Sequence, residues 1–173
     1  MEIKVQQIVH ELELQLPTRG TPQAAAYDLY CAEETILPAY HPTLVPTNMQ
    51  IELPAGHALF IMPRSGNALK KNLIVVNSPG LIDEDFRGHV QVILMWIPHP
   101  MFSASVQKAP QSLLIPGQNP NQNVPVPTCI KIEKGERIAQ AFLIKTIEQD
   151  WIKVDELSTT ERGDGGFGST GEK

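Results

Sequence analysis

Nine runs of strand-forming residues follow one another along this chain, and none is long. They are IKVQQIV (3–9), ELELQLP (11–17), ETILPAY (34–40), MQIELP (49–54), HALFIMP (57–63), LIVVN (73–77), HVQVILMWI (89–97), CIKIEK (129–134) and RIAQAFLIK (137–145). Proline, glycine or asparagine bounds most of them, and these residues either remove a ladder donor or favour a turn. Several runs alternate apolar and polar side chains, the two-residue period of a half-buried strand. MQIELPAGHALFIM reads as two strands around a Pro-Ala-Gly turn. Proline makes up 15 of the 173 residues, which argues against a helical protein. The one helix expected is a turn or two over Ser65–Lys71. Short strands with turn signals every few residues predict an all-β sandwich, jelly roll or barrel.

A chain of 173 residues is long enough for one domain with a sizeable core. Its formal net charge is −5, so bulk electrostatics disfavour direct nucleic-acid binding or a membrane-surface role. An anionic ligand has to be held by a local cluster. Cys31 and Cys129 lie far apart without metal-ligand spacing and read as buried reduced thiols. No stretch approaches the ~20 apolar residues that span a bilayer. These features predict a soluble intracellular protein. Residues 98–127 stand apart, with seven of the prolines, seven Asn or Gln and Lys108 as their one formal charge. They read as a long irregular insertion, not a strand pair.

Five segments carry groups suited to chemistry. In AAAYDLYCA (24–32), Asp28 sits in a strand between aromatic and apolar neighbours, and a buried acid needs a partner: metal, water or arginine. PRSGNALKKN (63–72) sets backbone N–H groups at a helix start beside Arg64, a geometry that suits an anion. The plainer reading is a turn with one surface arginine. NSPGLIDEDFRGHVQV (77–92) puts Asp83, Glu84, Asp85 and Arg87 in a hairpin between two strands. Leu81 and Ile82 are expected to draw Asp83 into a partly desolvated position, as suits a general base; a solvated acidic turn is the alternative. GERIAQAFL (135–143) is a turn leading into a strand that carries Arg137 and Gln140. ERGDGGFGSTGEK (161–173) holds five of the twelve glycines and reads as a disordered end.

In this order and rough spacing, AAAYDLYCA, PRSGNA, NSPGLIDEDFRGHV, GERIAQ and RGDGGFGSTG resemble the five motifs of the trimeric deoxyuridine triphosphate nucleotidohydrolases, the dUTPases. The resemblance covers nearly the whole chain except 98–127. It implies a jelly-roll-like β-barrel over 1–158 and a flexible C-terminal lid over 159–173. It also implies Mg²⁺-assisted hydrolysis of dUTP to dUMP and pyrophosphate, which limits uracil in DNA and supplies dUMP for dTMP synthesis. Carried over by position, Asp83 is the base and Asp28 reaches Mg²⁺ through water. Arg64, Ser65, Gly66 and Gln140 contact phosphates. Asn77, Gly80, Leu81 and Ile82 form the uracil pocket, with Phe86 against the deoxyribose. Arg162, Phe167, Gly168, Ser169 and Thr170 form the closing arm, whose glycines let backbone N–H groups approach the γ-phosphate. The implied assembly is a homotrimer with shared active sites, and 98–127 is a candidate site for a protein partner.

Three positions depart from the family pattern. Ala26 stands where glycine is usual, Phe86 where tyrosine is usual, and the stretch from Trp96 to Gly135 exceeds a short hairpin. A dCTP deaminase of the same superfamily is one alternative, opposed by the GGFGSTG ending. A non-catalytic β-barrel that keeps the nucleotide site as a sensor is another, opposed by an intact Asp83. P-loop chemistry has no GxxxxGK[ST] segment to support it.

Overall fold

The computed structural model describes residues 2–98, 107–108 and 128–166. Its elements are β1 (Lys4–Gln7), β2 (Tyr27–Tyr30), β3 (Thr35–Pro38), β4 (Thr43–Pro46), β5 (Met49–Glu52), β6 (His57–Met62), α1 (Ser65–Lys71), β7 (Leu73–Val75), β8 (Gly80–Ile82), β9 (Gln91–Trp96), β10 (Gln107–Lys108), β11 (Thr128–Ile132) and β12 (Arg137–Lys145). The strands pair antiparallel in four sheets, ordered β1-β5, β10-β11-β3, β2-β12-β6-β8 and β4-β9-β7. One apolar cluster joins them. Leu29, Leu37, Val45, Ile51, Ile61, Leu94, Ile132 and Ala139 come from eight different strands and are all buried. Strand β9 buries every second residue, Val92, Leu94 and Trp96, although its run VILMW is apolar throughout.

The helix falls where expected. It starts after Arg64 and stops at Asn72, whose left-handed backbone (φ 52°) lets its N–H return to the Asn67 carbonyl. Lys70 and Lys71 in its last turn complement the helix dipole. Cys31 and Cys129 are both buried, as read from the sequence.

Two sequence expectations, for ELELQLP and for 98–127, are corrected. ELELQLP forms no strand. The Leu12 carbonyl accepts hydrogen bonds from the side chains of Gln7 (2.6 Å) and Asn48 (3.2 Å), so the segment's backbone is engaged outside any ladder until Thr18 bridges Asp28. The two strands around Pro-Ala-Gly do form, but they do not pair with each other. β5 joins β1 while β6 joins β12 and β8, and the turn between them is claimed by other segments: Gly56 N–H donates to Glu84 Oε2 at 2.6 Å and its carbonyl accepts from Thr146 at 2.8 Å. Finally, the segment 98–127 does contribute a strand. Gln107 and Lys108 pair with Cys129 and Thr128, and the strands that flank the insertion, β9 and β11, lie in different sheets. The rest of 98–127, apart from Pro98, lies outside the described residues.

Candidate active site

Four of the five segments converge on one sheet. Asp28 is on β2, Gln140 on β12, the Pro63–Arg64 turn follows β6, and Gly80–Ile82 is β8, and the sheet runs β2-β12-β6-β8. Gln140 is the partner of both Asp28 and Met62, so Asp28, Gln140 and Met62 form a row across three strands. The chain leaves that row at Met62 and turns back through Arg64, whose Nε donates to Asp28 Oδ1 at 2.7 Å. Arg137 Nη1 donates to Asp28 Oδ2 at 3.3 Å. The buried acid that the sequence left open among metal, water and arginine is thus held by two guanidiniums.

A bulge in β12 makes this possible. Residues three apart on a regular strand face opposite sides. Between Arg137 and Ala139 the register with β2 shifts, so Ile138 and Ala139 are both buried and Arg137 returns to the face of Gln140 and Asp28. Asn67, buried on α1, braces the bulge by donating to the carbonyls of Arg137 (2.8 Å) and Ile138 (3.3 Å). Gln140 Nε2 donates to the Pro63 carbonyl at 2.8 Å, one residue before Arg64. Arg64 is the N-cap residue of α1 and supplies no side-chain cap, and Ser65 and Gly66 are exposed at the helix start. Half-exposed Arg137 (53 %) is the group that the sequence reading left without a role; its signal was only its place three residues before Gln140.

The 77–90 segment is a long excursion of the β7–β9 hairpin that reaches across to pair β8 with β6, placing Gly80 opposite Ile61. A cavity of about 210 Å³ lies there, lined by Asn77, Gly80, Leu81, Ile82, Phe86 and His89 among others. A side chain at Gly80 would come within 3.1 Å of Asn77 Nδ2, so the glycine keeps Asn77 close. Phe86 folds over Gly88, where an added Cβ would lie 2.6 Å from the ring. Asp83 corrects the sequence expectation: it is exposed. Leu81, at 56 % exposure, does not shield it, because β8 is the edge of its sheet. In the C-terminal segment, residues 161–166 make local turns, with Arg162 Nε donating to the Gly165 carbonyl at 2.9 Å. Phe167, Gly168, Ser169 and Thr170 lie outside the described residues.

The sequence profile of the dUTPase family matches residues 13–103 and 125–171, leaving out the centre of the insertion. The chain belongs to the dUTPase family. It is 38 % identical over 159 residues to a deoxyuridine 5'-triphosphate nucleotidohydrolase of Hydrogenobaculum sp., an alignment covering 91 % of each protein. A Staphylococcus bacteriophage 80alpha dUTPase solved with dUPNHPP superposes with a TM-score of 0.76, covering 99 % of both chains at 24 % identity. A phage phi11 dUTPase mutant solved with a structural Mg(II) ion superposes with a TM-score of 0.68, covering 90 % of this chain and 98 % of that one at 18 % identity. At these identities the two structures carry the fold, and they agree with the jelly-roll-like β fold expected from the sequence. This chain's departures at Ala26 and Phe86 lie outside the Asp28–Arg64–Arg137 cluster. Ala26 falls in the bend just before β2, which starts at Tyr27 as a regular strand.

Proposed function

We propose that this chain hydrolyses dUTP to dUMP and pyrophosphate. The observation that carries the reading is the convergence of Asp28, Gln140, Arg64 and Gly80 on one sheet, within a chain of the dUTPase family. The triphosphate lies along the Arg64–Ser65–Gly66 turn and Gln140, where guanidinium and backbone donors meet oxygens that carry negative charge. The base enters the Asn77–Gly80 cavity, where backbone groups of β8 read the edge of uracil and reject cytosine by leaving polar groups unpaired. Phe86 keeps an apolar wall beside the sugar. Asp83 takes the proton of a water that attacks the α-phosphorus in line with the departing pyrophosphate. Arg162, Phe167, Gly168, Ser169 and Thr170 close over the nucleotide and exclude bulk water.

The family supports a divalent metal, and we assign magnesium. No cluster of three or more acids, histidines or cysteines suited to a metal exists among the described residues. Asp28 is a carboxylate bonded to the phosphate-binding turn at Arg64, and Mg²⁺ is commonly held by one or two carboxylates plus water and substrate phosphates. Asp28 is the residue that would hold it, through water. When bound, the ion neutralises charge on the phosphate oxygens.

Three copies sharing sites is the assembly this reading requires. Supporting it, the chain beyond β12 carries Ile147, Trp151, Ile152, Val154 and Leu157 exposed, with Trp151 at 92 %, which suits burial against a second copy. No helix among the described residues is long and apolar enough to cross a membrane. Nothing in the described residues favours a protein partner at 98–127.

A steady-state assay with dUTP, dCTP, dTTP and UTP, with and without Mg²⁺, tests the reading. Pyrophosphate release from dUTP alone, dependent on the metal, is expected. Ammonia release from dCTP would move the chain to the deaminases, and binding without turnover would make it a sensor. Light scattering should give about three times the 19.1 kDa chain mass.

A further inference from the structure

Four successive residues hold the return arm of the 77–90 excursion. Thr47 Oγ1 donates to the Val90 carbonyl, Asn48 N–H donates to His89 Nε2 at 3.2 Å, the Met49 carbonyl accepts from Val90 N–H at 2.9 Å, and Gln50 Nε2 donates to the Arg87 carbonyl at 2.8 Å. Three of these four ties use the backbone of the arm; His89 alone is tied by its side chain. The platform is itself buried and hydrogen-bonded. Asn48 is 2 % exposed, sits in the left-handed region (φ 60°), and its amide both accepts from Val9 N–H and donates to the carbonyls of Val9 and Leu12. His89 also lines the cavity that contains Asn77, Gly80 and Phe86.

We propose that His89 is a positioning residue for the base cavity, its neutral ring accepting the Asn48 N–H and so holding the cavity's return wall in register with β8. The proposal rests on the reading of that cavity as the uracil site. An N–H donor at Nε2 requires a lone pair there, so the ring proton is on Nδ1. Protonation turns both ring nitrogens into donors and removes the tie. Burial pushes the His89 imidazole below its ordinary range, and the Glu33 carboxylate on the β2–β3 turn opposes that shift. The other charged groups nearby are directed elsewhere: Arg87 bonds the carbonyls of Glu84 and Phe86, and His10 and Glu11 on the segment bound by Asn48 are exposed. A base with a depressed folded pKa keeps its contribution at neutral pH and loses it as pH falls through that pKa.

The test compares wild type with His89→Ala, His89→Gln, His89→Asn and Asn77→Ala by dUTP kinetics, dUMP titration and thermal melting. Glutamine places an acceptor at the reach of Nε2, whereas asparagine reaches only as far as Nδ1. Expected are a KM about five- to tenfold higher for the Ala and Asn variants, kcat within about threefold, and recovery of KM in the Gln variant. Below the ordinary histidine range, wild-type KM should rise relative to that of the Gln variant, which has no imidazole to protonate. Unchanged KM in His89→Ala, or a lowered melting temperature with KM unchanged, overturns the positioning role while leaving the cavity assignment intact. Asn77→Ala is expected to weaken dUMP binding at least about tenfold. If it binds dUMP as wild type does, the cavity is not the uracil site and the proposal falls with it.

Discussion

Asp28 and Asp83 are two carboxylates assigned to one reaction, and the molecule treats them in opposite ways. Asp28 is buried in a cross-strand row of a four-stranded sheet, with a guanidinium on each oxygen. Asp83 is exposed just past the edge strand β8, with no ion pair among the described residues. Each oxygen of Asp28 accepts one guanidinium N–H, so the carboxylate ties the turn after β6 to β12 and keeps a lone pair on each oxygen for water. A carboxylate on a loop keeps its lone pairs for water and depends on closure to lose bulk solvent. The part that grips charge is built into the sheet; the part that reacts rides on an excursion from it.

The contrast can be broken most directly at Asp83. Asp83→Asn should lower kcat by about 10²–10⁴ and leave the melting temperature in place, since an exposed side chain at a loop carries little stability. Near-native turnover would remove Asp83 as the base. Ending the chain after Thr160 comes next. It should lower kcat by about 10² and raise KM less, because closing groups act on the reacting geometry. Full kcat in the shortened protein would mean that the glycine-rich end takes no part in closure.

Asp28→Asn should show a stability loss that Asp83→Asn lacks. It leaves Arg64 and Arg137 without their counter-charge at a site 9 % exposed, at a cost of about 1–3 kcal/mol measured by urea unfolding. If both Asn variants shift the urea midpoint equally, the division between a structural and a reacting acid is wrong. The smallest effect is expected from replacing residues 109–127 with a short glycine-containing turn while keeping β10. Turnover should stay within about threefold, and an inactive but folded and trimeric product would bring the insertion into the site.

Much of this was legible before the fold was known, where a single local rule decided the outcome. The helix over Ser65–Lys71 followed from turn chemistry. Motif order gave the family. What could not be read was pairing between distant segments. Nothing within ELELQLP says that Gln7 and Asn48 will claim its backbone, and nothing within PAG says that Glu84 and Thr146 will claim Gly56. Asp83 is exposed, against the sequence expectation, for a related reason. Two apolar neighbours in sequence bury an acid only if something lies over them, and β8 has no strand on its outer side. The pairing of Arg137 with Asp28 is not legible either, because its spacing to Gln140 places the two on opposite faces of any regular strand.

That last spacing makes β12 a parity device. One extra residue near Ile138 flips the face of everything on its N-terminal side, so the strand reads odd before the bulge and even after it. A single-residue deletion there would not shorten the site by a few ångströms. It would turn Arg137 away from Asp28, or turn Gln140 with Phe142 and Ile144 to the wrong side, depending on which end yields. Substitutions at Ile138 and Ala139 can be graded by size and polarity, but changes of length there have no mild version.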